Sequence, residues 1–280
     1  MANGPMAELE NAVIGKSSIP ALSLTVLLMV AIPVLFFLIW RRKHRDRTNI
    51  RYLIAGAAGF LVSARVLELG VHYLCLLADN PVSRFLNGST AAYVLYGAVM
   101  AGVFEECGRH IVLKFILKKD RTRENAVMYG IGHGGVEVLA VLLPAMISYL
   151  AIAALFSKGD AQEAIRALKI TEENAEAALL SVQAAAAFDY GAMAMNVAER
   201  LMAMLVHIGL SVIVFYGVRA AKKGCLPLAI LLHMLADTLP GLYQRGAAPL
   251  WAVEAWGALW MAVILLLAGK LYGKMKEPQG

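Results

Sequence analysis

AAYVLYGAVMAGVFEECGRHIVLKFIL, residues Ala91–Leu117, is long and apolar enough to cross a bilayer, because about 20 predominantly apolar residues rising 1.5 Å each traverse the hydrocarbon. Within it the string FEECGRH, Phe104–His110, sets Glu105 and Glu106 side by side. An ionisable side chain at mid-bilayer costs on the order of 3 kcal/mol on insertion scales, so it persists where it faces a protein interior or a water-filled cavity and works there. The run therefore argues at once for a bundle of membrane helices and for chemistry inside it.

Composition agrees. The 280 residues are 60% hydrophobic and 16% charged, with mean hydropathy +0.65, too apolar for an ordinary soluble globule. The net charge of +6 does not imply a nucleic-acid partner, because the basic residues cluster in short segments between apolar stretches, as the positive-inside rule describes. Cys75, Cys107 and Cys225 fall near different membrane levels and read as free thiols. The first long apolar run, followed by RRKHR, reads as a retained anchor rather than a cleaved signal.

Seven spans are expected, at 19–40, 51–78, 91–117, 126–156, 192–219, 226–243 and 250–270, the fourth bent at Pro144. Seventeen of the 26 Lys and Arg residues lie in 41–51, 114–123, 219–223 and 270–276, after spans one, three, five and seven. This places the N-terminus outside and the C-terminus in the cytosol. The chain is expected to be one all-α membrane domain over 1–280, with a core over 91–240. Segment 157–190 is expected to be an extracytoplasmic helical connector, with Thr171 as N-cap and Glu172 and Glu173 in the first turn.

Other spans carry polar groups at matching depth: Arg109 in the third, His133 and Glu137 in the fourth, His207 and Ser211 in the fifth, His233 and Asp237 in the sixth. HGGVE, HIGLS and HMLAD each put an oxygen-bearing side chain one turn from a histidine, on the same helical face. At 1.5 Å per residue, Glu105, His133, His207 and His233 all lie roughly 15–20 Å from the nearest basic cluster. A carboxylate beside imidazoles can take a proton from water, and the imidazoles can hold that water or donate to an oxyanion. Amide hydrolysis needs those roles.

Each element has a plainer use on its own. A single membrane His, Ser or Asp commonly makes a helix–helix hydrogen bond. Arg109 reads as a charge partner for a buried Glu. The glycines around His133 suit close helix packing but also leave room for a peptide backbone. Arg65, Glu68 and His72 read as a structural network in the second span, and the Met-rich run AMAMNVAERLMAML reads as core packing.

At these residues the chain resembles the YhfC family of intramembrane peptidases, distantly similar to the CAAX-processing and bacteriocin-processing membrane proteases. That wider group carries a Glu-Glu pair followed by Arg, an aromatic four residues before a His, and a later His with Asn or Asp four residues on. Here the positions read Glu105, Glu106 and Arg109; Tyr129 and His133; and His233 and Asp237. The resemblance implies a glutamate-dependent protease in which a Glu of the pair, with His133, activates water, while His233 and Asp237 stabilise the tetrahedral oxyanion. Two residues separate Glu106 from Arg109 where the wider group usually has three, and Tyr129 stands where Phe is more usual. His207 lies outside the three motifs and is counted as an additional site residue or a metal ligand.

The expected function is thus an intramembrane endopeptidase of the bacterial cell membrane, acting on a membrane-embedded or lipid-modified peptide and requiring no cofactor. A zinc-dependent version is the alternative, since His133, His207, His233 and a Glu could supply a three- or four-ligand site without an HExxH motif. A proton-coupled transporter or a membrane scaffold would use the same polar residues differently.

Overall fold

A computed structural model describes residues 4–275. The long helices are α1 (Ser18–Lys43), α2 (Ile50–Leu77), α3 (Thr90–Ile111), α4 (Arg123–Phe156), α5 (Tyr190–Arg219), α6 (Cys225–Gln244) and α7 (Leu250–Lys274). The described residues contain no strand, so the chain is an all-α, polytopic membrane protein. Six of the seven are long and apolar enough to cross a membrane by length and composition. The exception, α3, is 22 residues long and is the helix that carries Glu105, Glu106 and Arg109.

Exposed and buried residues are distributed as lipid requires. Large apolar side chains such as Leu38, Ile39, Leu95, Leu231 and Leu266 face outward, while Glu105, Glu106, Arg109, His133, His207, Ser211 and His233 are buried. The reverse arrangement would suit water.

Two compact units divide the chain, residues 1–32 with 138–200 and residues 33–137 with 201–280. In the first, Pro5–Glu10, Ala161–Ala167 and Ala175–Ala187 are short helices, and Leu9, Phe156, Ile165 and Val182 form a core. The helix expected to begin at Thr171 starts instead at Ala175. Thr171 is not its cap, because Thr171–Asn174 is a turn closed by Asn174 N–H donating to the Thr171 carbonyl at 3.1 Å. Asp160 does cap its helix, accepting from the Glu163 N–H at 2.9 Å.

The second unit holds the basic segments at one end. Thr122 donates to the Arg47 carbonyl at 2.6 Å, Trp40 to the Glu124 carbonyl at 3.0 Å, Arg219 to the Met275 carbonyl at 3.4 Å, and Arg123 lies over the Tyr272 ring. Segments after helices α1, α3, α5 and α7 thus meet, as alternate crossings demand.

Glycine sets how closely the helices approach. A methyl group on Gly56 of α2 would lie 2.2 Å from the Tyr129 carbonyl oxygen, and one on Gly132 of α4 would lie 2.0 Å from that of Leu53. Gly130 and Gly134 face the α5 backbone at Ile208 and Met204, and Gly102 of α3 faces Ile230 and Met234 of α6. These small faces are filled by neighbouring helices, the packing use of glycine. In α2, directly after α3 and in α4 the ordinary helical turns give way to wide ones at Leu61–Glu68, Val112–Ile116 and Val138–Leu142. The last wide turn ends at Leu142, two residues before Pro144, the expected bend, which has no N–H to bond back to Ala140.

Candidate active site

Ser89 caps α3, accepting from the Ala92 N–H at 3.3 Å, and four turns on, Glu105 and Glu106 are 7% and 0% exposed. Consecutive helical residues point about 100° apart, so the two carboxylates reach different neighbours. Glu105 Oε2 lies 2.9 Å from His133 Nε2 of α4 and 3.8 Å from His207 Nδ1 of α5. Glu106 Oε1 lies 2.9 Å from His233 Nδ1 of α6 and 3.3 Å from Arg109 Nη2.

Arg109 is wholly buried and its main partners are on α5. Nη1 donates to the His207 carbonyl and to Ser211 Oγ, each at 2.9 Å, and Nη2 meets His207 Nδ1 at 3.0 Å. A guanidinium only donates, so Nδ1 is the acceptor and neutral His207 carries its proton on Nε2. That nitrogen is 2.5 Å from Glu137 Oε2. His233 repeats the pattern: a carboxylate only accepts, so Nδ1–H donates to Glu106 and Nε2 faces Asp237 at 3.4 Å.

The three imidazoles are contiguous, His133 to His207 at 4.8 Å and His207 to His233 at 5.3 Å between ring centres. Phe60 presses edge-on against His133 at 5.2 Å. His133 Nδ1 and Glu106 Oε2 are buried with no hydrogen-bond partner, and such groups are costly in a dry interior.

All the sequence-derived candidates come together: Glu105, Glu106, Arg109, His133, His207 and His233 in the buried layer, and Asp237 at its edge through His233. Some pairings differ from the one-turn reading. His133 takes Glu105 rather than Glu137, and Glu137 takes His207. Ser211 donates to the His207 carbonyl at 2.7 Å and so steadies the backbone rather than the imidazole. Arg109 is more a clamp on α5 than a partner for the glutamates. Sequence spacing marks Glu137 only as a neighbour of His133, and helical periodicity alone cannot assign it to a histidine 70 positions away. Glu68 and His72 pair at 3.2 Å and Tyr96 meets His72 at 3.0 Å, a separate network.

Residues 28–256 match the family described as YhfC intramembrane metalloprotease. The chain belongs to this family. It is also 29% identical over 265 residues to the Bacillus subtilis (strain 168) protein named "Uncharacterized membrane protein YhfC", an alignment covering 94% of this chain and 97% of that one. No solved structure matches. Family membership makes this YhfC chain a multi-pass membrane protein of a peptidase class described as metal-dependent. The family description supports the zinc alternative and lends nothing to the expectation that no cofactor is required.

The residues present fit a metal. Glu105, His207 and His233 each offer a buried donor atom, and these atoms lie within 4.8 Å of one another. Two imidazoles and a carboxylate are a donor set that catalytic zinc uses. The two histidines of this set each give an N–H to a separate carboxylate, Glu137 for His207 and Glu106 for His233, the support that fixes a ligand's tautomer and raises its basicity.

Proposed function

We propose that this protein is a metal-dependent endopeptidase of the bacterial cell membrane that cleaves a membrane-embedded or lipid-modified peptide, with the cytosol on the side of its basic segments. The observation carrying this reading is the pairing of His207 with Glu137 and of His233 with Glu106 around Glu105.

Glu105, His207 and His233 would hold the ion, which when bound supplies Lewis-acid polarisation of a carbonyl and acidifies water. The remaining groups position and balance. Glu106 holds the Nδ1 proton of His233, which leaves the lone pair on Nε2; Glu137 faces His207 Nε2, and the Nδ1 lone pair, which accepts from Arg109 Nη2 in this structure, would exchange that bond for the ion. His133 Nε2–H fixes Glu105 Oε2. Arg109 ties the α5 backbone at His207 to α3 and offsets the charge of Glu106. Asp237, whose side chain is 39% exposed, is the carboxylate able to take a proton from an attacking water and return it to the leaving amine.

The 2.9 Å contact between His133 and Glu105 favours a second reading without metal. In it Glu105, oriented by His133, is the base, and His233 with Asp237 donates to the oxyanion. Cleavage of a membrane-peptide reporter by detergent-purified protein, with bound metal quantified in the same sample, separates the two. Near one zinc per chain, with activity lost to chelator and restored by zinc, supports the first. Full activity in metal-free protein, abolished by Glu105→Gln, overturns it in favour of the second. A folded wild type that cleaves no membrane peptide under either condition removes both.

A further inference from the structure

At the basic end of the second unit, beyond the buried layer, a cavity of about 380 Å³ opens between helices α3, α5 and α6. Lys114, Lys222 and Lys223 line it together with His110, and Val214 and Leu226 form its apolar wall. Among the described residues that line it none is acidic, so three lysines border the cavity with no carboxylate in its walls; the Lys114 ammonium lies over the Phe115 ring, 5.1 Å from its centroid.

The backbone holds this arrangement in place. Helix α5 ends with the Lys222 N–H donating to the Gly217 carbonyl at 2.9 Å, and the Cys225 N–H then donates to the Lys222 carbonyl at 3.2 Å. The reversal holds Ala221 at φ +54°, a left-handed conformation unfavourable for a residue with a Cβ. A methyl on Gly217 would lie 2.5 Å from Cys225 Cβ, so glycine there lets the loop fold back and carry Lys222 and Lys223 over the cavity. Lys114 comes from the wide turn Val112–Ile116 that ends α3.

We propose that this cavity binds the phosphate headgroup of an anionic membrane lipid, with an acyl chain lying along Val214 and Leu226. Three lysines bordering an apolar wall at the end of a membrane bundle match a ligand that is anionic at one end and hydrocarbon at the other. A free phosphate would use the lysines and leave the wall idle. The site is independent of the peptidase reading, since none of its residues belongs to the buried layer.

The test is lipid retention by the full chain, purified in neutral detergent and mixed with phosphatidylglycerol or phosphatidylcholine at equal concentration, read by native mass spectrometry. Wild type is expected to retain phosphatidylglycerol selectively, and each lysine removed is expected to weaken it roughly fivefold, so the triple variant Lys114→Gln, Lys222→Gln, Lys223→Gln loses selectivity. The single variant Lys223→Gln serves if the triple variant does not fold. Equal retention of both lipids by wild type overturns the proposal, as does selectivity unchanged in Lys223→Gln and in a folded triple variant. Displacement of phosphatidylglycerol by millimolar inorganic phosphate overturns the lipid assignment and leaves a phosphate site.

Discussion

Glu105 and Glu106 are adjacent in the chain and both buried, yet their carboxylates belong to different histidines, Glu105 to His133 and Glu106 to His233, each at 2.9 Å. Glu106 is further tied to Arg109 at 3.3 Å, so it supports other groups, while Glu105 faces His207 and His233 as part of a three-donor set. The two substitutions should therefore separate. Glu105→Gln keeps an oxygen for His133 to donate to and removes the charge; cleavage is expected to fall on the order of 10²–10⁴-fold with little change in melting temperature. Glu106→Gln is expected to lower activity roughly 10–100-fold and to lower the melting temperature as well, because Arg109 loses its buried counter-charge. Cleavage rates and melting curves on the same preparations check this, and the opposite ranking would exchange the two roles.

Arg109 is expected to resist conservative exchange. Its guanidinium spans the His207 carbonyl, Ser211 Oγ and His207 Nδ1 at once, and a lysine ammonium cannot present that fork. Arg109→Ala should destabilise by about 3–5 kcal/mol, the usual loss when one partner of a buried ion pair is removed. Arg109→Lys should recover only part of this. Thermal unfolding in detergent reads both, and a lysine variant as stable as wild type would mean the clamp on α5 is dispensable.

Zinc should raise the stability of metal-stripped protein, by about 2.7 kcal/mol when the free ion is one hundredfold above its dissociation constant. His207→Ala and His233→Ala should abolish that rise. His133→Ala should keep most of it, because the hydrogen bond of His133 to the donor set is to Glu105 and its contact with His207 is ring against ring. The readout is melting temperature against zinc concentration, which needs no substrate. A rise that survives His233→Ala would remove that histidine from the set.

The all-α polytopic fold, the clustering of the basic segments and the residues that meet in the buried layer were legible in the sequence, for a shared reason: lipid makes every exception to apolarity informative. Helical spacing was less reliable for pairings. The i,i+4 rule correctly linked His233 with Asp237 but joined His133 to Glu137, whereas crossing helices offered each a nearer partner, Glu105 and His207 respectively. Spacing along one helix cannot show which neighbour is packed against it. The same limit applies to Thr171, a sound cap by residue type displaced because Asn174 closes a turn first, and to Glu137, whose importance depends wholly on the placement of α5 against α4.

The glycines provide the sharpest check on that packing. Gly56 meets the Tyr129 carbonyl oxygen, where a Cβ would lie only 2.2 Å away, whereas a Cβ on Gly97 of α3 would meet nothing within 4 Å. Backbone cannot move aside as a flexible side chain can, so Gly56→Ala must push α2 away from α4 and is expected to destabilise by about 1–3 kcal/mol. Because a Cβ on Gly56 would also lie 3.0 Å from the His133 backbone nitrogen, the displacement should reach Glu105 through His133 and lower cleavage along with stability. Gly97→Ala removes backbone freedom without a clash and is expected to leave cleavage unchanged while adding about 0.5–1 kcal/mol. Melting temperature and cleavage rate for the two variants side by side decide it: equal behaviour would mean that α2 and α4 are not held at the separation that places His133 against Glu105.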